Sequence, residues 1–170
     1  MTAISFVRRG VLALGASLLL VPGALAETEI PRQDPAHCVG QPEIKPLQPL
    51  KLVTSRGAYA FQVEYADTDR KREYGLMCRR SLAPDRGMLF DFKTPQPTAF
   101  WMRNTLIGLD IVYIRADGRV LSIARNAAPL DETPLPSGGD VRAVLELAAG
   151  RAAQIGLLPG DKVVHRIFPA

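Results

Sequence analysis

The chain of 170 residues has 21 lysine and arginine residues against 17 aspartate and glutamate residues, a formal net charge of +4. Two of the basic residues lie in a segment that we expect to be removed, which leaves a net charge of about +2. A dedicated nucleic-acid binder needs a strong basic face with interleaved aromatic residues, so we expect no nucleic-acid partner. A chain of this length is expected to form one domain with a sizeable core.

The first 26 residues have the three parts of a secretory signal peptide. An arginine pair at 8–9 precedes an apolar run at 11–21, and Ala24 and Ala26 then place small residues at both recognition positions. This pattern predicts cleavage after Ala26. The apolar run is too short to cross roughly 30 Å of hydrocarbon. We therefore expect a periplasmic or secreted protein that spans no membrane after cleavage, with general secretory and twin-arginine export both open.

Residues 27–49 contain five prolines and few large apolar side chains. This composition is typical of an extended linker, and we place a single globular domain at residues 50–170. The chain has two cysteines, Cys38 in the linker and Cys78 in the domain. An oxidising compartment permits a disulfide, but an even cysteine count fits both a bridge and two free thiols, so both alternatives stay open.

In chain order, the apolar periodicity predicts many short strands and two short helices. Alternation in residues 59–65 predicts a hairpin with residues 50–54, and Thr68 is expected to cap a helix that runs to about Met77. Further strands are expected at residues 87–92, 98–102, 109–115, 119–123, 141–147 and 162–168, and a helical turn at 149–155. Asp91 is expected on the solvent face of its strand.

These elements predict an α+β fold, with a mostly antiparallel, curled or barrel-like β-sheet and one or two short helices. The Asp117-Gly118 pair lies between two alternating runs and is the strongest hairpin signal in the chain.

Several short motifs follow one another along the predicted domain. They are GLMCR at 75–79, GMLFDF at 87–92, FWMRNT at 100–105, LDI at 109–111, LELAAG at 145–150 and GD at 160–161. In this order they resemble the domain-of-unknown-function 192 family, also called uncharacterised protein family 0127, over about residues 50–168. The resemblance implies a compact, mostly β fold with a short helix near Arg79, and export of many members. It implies no known reaction, substrate or cofactor.

Four residues in neighbouring motifs form the predicted ligand-binding set: Arg79, Trp101, Asn104 and Asp110. A guanidinium suits a carboxylate or phosphate, an exposed Trp101 could stack on a sugar, and the Asn104 amide could orient a ligand. Asp110 interrupts an apolar run and needs a partner when buried, for which Arg79 is the expected candidate. The same four residues could instead stabilise the fold through a salt bridge, a buried indole and an Asx-turn.

This set favours a non-enzymatic binding module of the cell envelope for a small anionic or sugar-like ligand or a peptide. One alternative is an envelope hydrolase that uses Asp110 or Glu146 as acid or base, with Arg79 as the charge stabiliser. Another is a structural or chaperone-like accessory protein. Two isolated histidines predict no metal site, and no cofactor is expected.

Overall fold

Nine strands and two short helices make up the computed structural model, which describes residues 30–169; the predicted signal peptide lies outside the described residues. The elements are β1 (Gln48–Thr54), β2 (Gly57–Ala66), α1 (Asp69–Tyr74), β3 (Arg86–Gln96), β4 (Ala99–Phe100), β5 (Leu109–Ile114), β6 (Val120–Ala127), β7 (Leu135–Pro136), β8 (Val141–Ala148), α2 (Arg151–Gln154) and β9 (Lys162–Val164). The predicted α+β class is confirmed.

Seven of the strands form one sheet in the order β6-β5-β8-β3-β2-β1-β9, and β4 pairs with β7. All neighbours in the large sheet are antiparallel except β2 and β3, which are parallel because the chain crosses over through α1. The two edges of this sheet meet. Arg119 forms an isolated antiparallel backbone β-bridge with Lys162, and the Val163 amide donates to the Gly118 carbonyl over 2.7 Å. The sheet therefore curls back on itself, as the sequence predicts.

Local sequence signals account for several of these elements. The β1–β2 hairpin turns between Thr54 and Gly57, and the Thr68 side chain accepts the Lys71 amide at the start of α1. The helix ends at Tyr74, three residues before the predicted end, because Gly75 turns the backbone to a φ of 47°. Such a φ is readily available only to glycine, and it lets the next residues turn across the sheet.

Side chains alternate between the two faces of each strand, and both faces of the sheet carry a buried cluster. Phe61, Leu89 and Leu145 belong to the larger cluster, which fills the inside of the curl. The second cluster lies on the opposite face of β3, β5 and β8 and includes Met88, Phe90, Leu109, Ile111, Tyr113 and Val144. We call this the second face. Side chains of the irregular segments around residues 76–82 and 100–107 cover it.

Residues 30–47 precede β1 and contact the domain at several points. Cys38 and Cys78 form a disulfide with their Cα atoms 5.3 Å apart, which resolves the alternative that the sequence left open. The Asn104 Oδ1 accepts the Gln33 amide over 2.8 Å. A covalent bond and a buried side chain thus hold this segment beside the second face.

Replacing both cysteines by serine (Cys38→Ser with Cys78→Ser) should lower the free energy of unfolding by about 2–4 kcal/mol, because the bridge restricts the unfolded chain. Urea unfolding at pH 7 measures the change. Reductant should reproduce the loss in the wild type and leave the double variant unchanged. An unaltered midpoint in the double variant would show that the bridge adds no stability.

Candidate functional site

A cavity of about 340 Å³ lies on the second face, between α1, β3, β8 and the segment that begins at β4. Its wall is mainly aromatic and aliphatic. The chain has six phenylalanines, four tyrosines and one tryptophan, and five of these residues line the cavity: Tyr74, Phe90, Phe92, Phe100 and Trp101. An apolar concavity of this size with a few polar groups is the usual form of a small-molecule site.

Glu146 is the one polar side chain of β8 that reaches this cavity. It alternates with Leu145 and Leu147, which face the inside of the curl, so its own side chain lies on the second face. Met88 on β3 and Ile111 on β5 flank it in register. The residue is 5% exposed, which places its carboxyl at the floor of the cavity.

The Glu146 carboxyl lies in a low-dielectric environment, and one of its oxygens is not compensated. Its Oε2 atom has no hydrogen-bond partner within the described part of the chain. Burial raises the pKa of Glu146 to about 8, because the charged form loses its hydration. The nearby Tyr113 hydroxyl donates to the Leu135 carbonyl and does not compensate the acid. At pH 7 the carboxyl is therefore mostly protonated.

The rim of the cavity carries basic side chains with acidic partners. Arg103 lies 4.0 Å above the Trp101 ring and forms an ion pair with Glu132 at 3.1 Å. Arg72 pairs with Asp69. Trp101 is 37% exposed, so part of its ring is open to an incoming molecule beside the Arg103 guanidinium.

Of the four residues predicted to bind a ligand, Trp101 alone lines this cavity. Arg79 lines a separate cavity of about 130 Å³, and its guanidinium donates to Glu64 over 2.9 Å. Asn104 is buried and positions the segment before β1 through the contact with Gln33. The structure therefore does not gather the four around one pocket, and ligand binding by them stays a prediction.

The expected pair between Arg79 and Asp110 is not formed. Asp110 is fully buried, and its carboxylate accepts the backbone amides of Asn126 and Ala152, each over 2.8 Å. Asp110 projects from the face of β5 opposite Ile111, whereas Arg79 lies in the segment that covers the second face. Asp110 thereby joins β6 and the start of α2 to β5.

The expectation that Asp91 faces solvent is also wrong. The residue is 1% exposed and pairs with Lys93 at 2.9 Å and with Arg142. The Tyr65 hydroxyl donates to the same carboxylate. Three partners from three strands thus compensate the buried charge.

Within residues 30–169, no group of three or more His, Cys, Asp or Glu side chains is arranged to hold a metal ion. In the same part of the chain no helix has the length and apolar character needed to cross a membrane.

Residues 51–165 match the sequence profile of DUF192, described as Uncharacterized ACR. The chain belongs to this family of uncharacterised proteins. The match includes the cavity residues from α1 to β8, and it agrees with the resemblance carried by the short motifs. No curated protein matches the chain.

Two solved structures of the same fold are similar to this DUF192 protein. One is a protein of unknown function from Novosphingobium aromaticivorans, with 42% identity and a TM-score of 0.70, covering 74% of this chain and 94% of its own. The other, from Sinorhizobium meliloti, carries the provisional name of a transcription regulator. It has 40% identity and a TM-score of 0.70, and the match covers 74% of this chain and 97% of its own.

Sequence reasoning included Glu146 only as a possible acid of a hydrolase. The signal that could have found its position is the one that marked Asp110, a single acid inside an apolar strand. What the sequence could not show is that Asp110 has partners and that Glu146 Oε2 has none.

The stability of the protein should fall as the pH rises from 6.5 to 8. Folded Glu146, with its pKa raised to about 8, keeps a proton that the unfolded carboxyl, with an ordinary pKa of 4.5, has already lost. Unfolding then releases a proton, so higher pH favours unfolding. Glu146→Gln should remove this slope and raise the free energy of unfolding at pH 8 by at least about 1 kcal/mol. Urea unfolding across this range measures both.

His165 supplies the control, because burial lowers its pKa to about 4 from 6.5. Its contribution has the opposite sign and a different window: stability rises with pH from about 4 to 6.5 and is constant above. His165→Gln should therefore leave the slope above pH 6.5 unchanged. If the free energy of unfolding had the same slope above pH 6.5 in the wild type and in Glu146→Gln, the assignment of that slope to Glu146 would be contradicted.

Proposed function

We propose that this DUF192 protein is an exported, non-enzymatic binding module that holds a small molecule, or one side chain of a peptide, in the Glu146 cavity. The observation that carries the proposal is the buried carboxyl at the floor of an aromatic cavity, with one oxygen unpartnered. A buried polar group without a partner costs about 1–3 kcal/mol. A ligand that bonds to Glu146 recovers that free energy.

The cavity narrows the ligand classes that the sequence suggests. An anion at the floor would lose its hydration, and the Glu146 carboxyl supplies no positive charge to replace it. A sugar-like ring or a peptide side chain suits the wall better, since Trp101 and Phe100 offer aromatic surface. Arg79, the residue expected to bind an anion, is already paired with Glu64.

The hydrolase alternative gains no support from the arrangement of its residues. Asp110 pairs with Leu147 across β5 and β8, and Ile111 pairs with Glu146. Side chains of adjacent residues on a strand point to opposite faces, so the two carboxyls lie on opposite sides of the sheet. Arg79, the expected charge stabiliser, lines a different cavity from Glu146 and is paired with Glu64. Asp110 accepts two backbone amides instead, so neither acid has the expected stabiliser beside it.

Export is supported by the signal-peptide pattern of residues 1–26 and by the Cys38–Cys78 bridge. Disulfides persist in oxidising compartments outside the cytoplasm and are rare within it. Together these features favour the periplasm or the medium as the place where the cavity meets its ligand.

Expression of the full chain in a Gram-negative host should yield periplasmic protein whose mass corresponds to a first residue at Glu27. Intact-mass analysis of the periplasmic fraction checks both the location and the cleavage site. An Arg8→Lys, Arg9→Lys variant separates the two export routes, because only the twin-arginine route should fail. Uncleaved protein confined to the cytoplasm would contradict export.

Filling the cavity should abolish ligand binding. In a thermal-shift panel of uncharged sugars, amino sugars and short peptides, a true ligand at 100 times its Kd should raise the Tm by about 5–10 °C. Ala99→Phe adds a ring at a residue that lines the cavity and should remove the shift. Ala60→Phe adds the same ring at an exposed position of β2 outside the cavity and should keep it.

The same shift in the Ala99→Phe variant would place the ligand elsewhere on the domain. A panel without any shift in the wild type would contradict the binding role of the cavity.

A further inference from the structure

We propose that the ligand of the Glu146 cavity carries an organic cation, a protonated amine or a quaternary ammonium group, and that the Glu146 carboxylate is its counter-ion. This inference rests on the proposed function and adds the chemical class of the ligand. Its grounds are the chemistry of the floor, the composition of the wall and the charges at the rim.

The side chain at the floor is a carboxyl, although an amide would bind an uncharged ligand equally well. Both groups can donate and accept one hydrogen bond, and an amide does so without changing its protonation state. A carboxylate differs from an amide in its negative charge, and only a cationic ligand is attracted by that charge. Within the described residues, no cation is paired with Glu146, so the positive charge that would match this acid has to come from the ligand.

The wall suits a cation with an organic body. Aromatic faces attract ammonium groups through the ring quadrupole, and the attraction is stronger where water is excluded. Phe90 and Phe100 meet edge to face with their centroids 5.0 Å apart, and both line the cavity together with Trp101. Rings and one buried carboxylate around a single space are the two components that recognise ammonium groups.

The basic side chains at the rim do not serve as the counter-ion of Glu146. Arg72 and Arg103 line the cavity and are paired with Asp69 and with Glu132, which Arg32 shares, so their charges are partly offset. Glu73 also lines the cavity and adds negative potential at the entrance. An ammonium group thus meets acidic as well as basic side chains at the rim.

Binding requires one proton to leave. Burial raises the pKa of Glu146 to about 8, so at pH 7 the carboxyl holds a proton that the cation displaces into solvent. For a ligand with a permanent charge, affinity should rise about tenfold from pH 6 to pH 7, and level off above about pH 8. The affinity of an uncharged ligand should not rise with pH.

Isothermal titration of the purified protein with benzyltrimethylammonium and with benzyl alcohol at pH 6, 7 and 8.5 tests the inference. The ammonium probe should bind at least tenfold more tightly than the alcohol at pH 8.5 and release close to one proton at pH 6. Glu146→Gln should weaken the ammonium probe at least tenfold at pH 8.5, remove its pH dependence and leave the alcohol unchanged. The control Asp140→Asn, at an exposed acid outside the cavity, should change either affinity less than about threefold. Glu73→Gln reports how much of the cation binding occurs at the rim.

The outcomes separate the two proposals. Equal binding of both probes, with no effect of Glu146→Gln, would overturn the cationic class and leave the cavity as a binding site. A large loss in Glu73→Gln alone would assign the cation to the rim and overturn the role of Glu146. If neither probe binds at millimolar concentration, the cationic class fails, and the thermal-shift panel decides the binding function of the cavity.

Discussion

Three adjacent strands of the sheet, β5, β8 and residues 87–91 of β3, are buried on both faces. Every side chain of β5 is buried, and most of those of β8 are as well. A polar group in such a strand must find a partner within the protein, because water cannot supply one. This constraint makes the few acids in these strands, Asp91, Asp110 and Glu146, more informative than any acid on the surface.

Two of the three acids satisfy the constraint in different ways. Asp91 has the Lys93 and Arg142 side chains as counter-ions, and Asp110 accepts two backbone amides. Both solutions join separate elements and can be explained by the fold alone. Glu146 has neither kind of partner for its Oε2 atom, and it is the acid that reaches the cavity. The proposed function of the cavity therefore depends on Glu146, because the roles of Asp91 and Asp110 are explained by the fold alone.

Local features of the fold could be predicted from the sequence because neighbouring residues decide them. The β1–β2 hairpin follows from alternation, and the start of α1 follows from the Thr68 cap. The two-residue strand β7 (Leu135–Pro136) was missed, since two residues carry no periodicity.

The partners of charged residues were predicted poorly because they depend on pairing between distant strands. Arg79 meets Glu64 because β2 and β3 are parallel neighbours after the α1 crossover, and the register sets Glu64 beside Met88. Nothing near Arg79 in the sequence indicates this. The burial of Asp91 likewise depends on Arg142, which is 51 residues further along the chain. The alternation of side chains correctly placed Asp91 on the face of β3 opposite its two chain neighbours. It could not show which side chains cover that face.

Four of the six short motifs supply residues of the cavity, although they are far apart in the chain. Residues 75–77, 90, 92, 100, 101, 103, 105 and 146 all line it, and they come from four of the motifs. The same motifs also supply Leu89 and Leu145 to the larger cluster on the other face, so they maintain the core there and form the cavity on the second face. Because these four supply both the aromatic wall and the carboxyl floor, the sequence pattern of the family and the chemistry of the site have a common explanation. We therefore expect related chains with the same four motifs to form the same cavity.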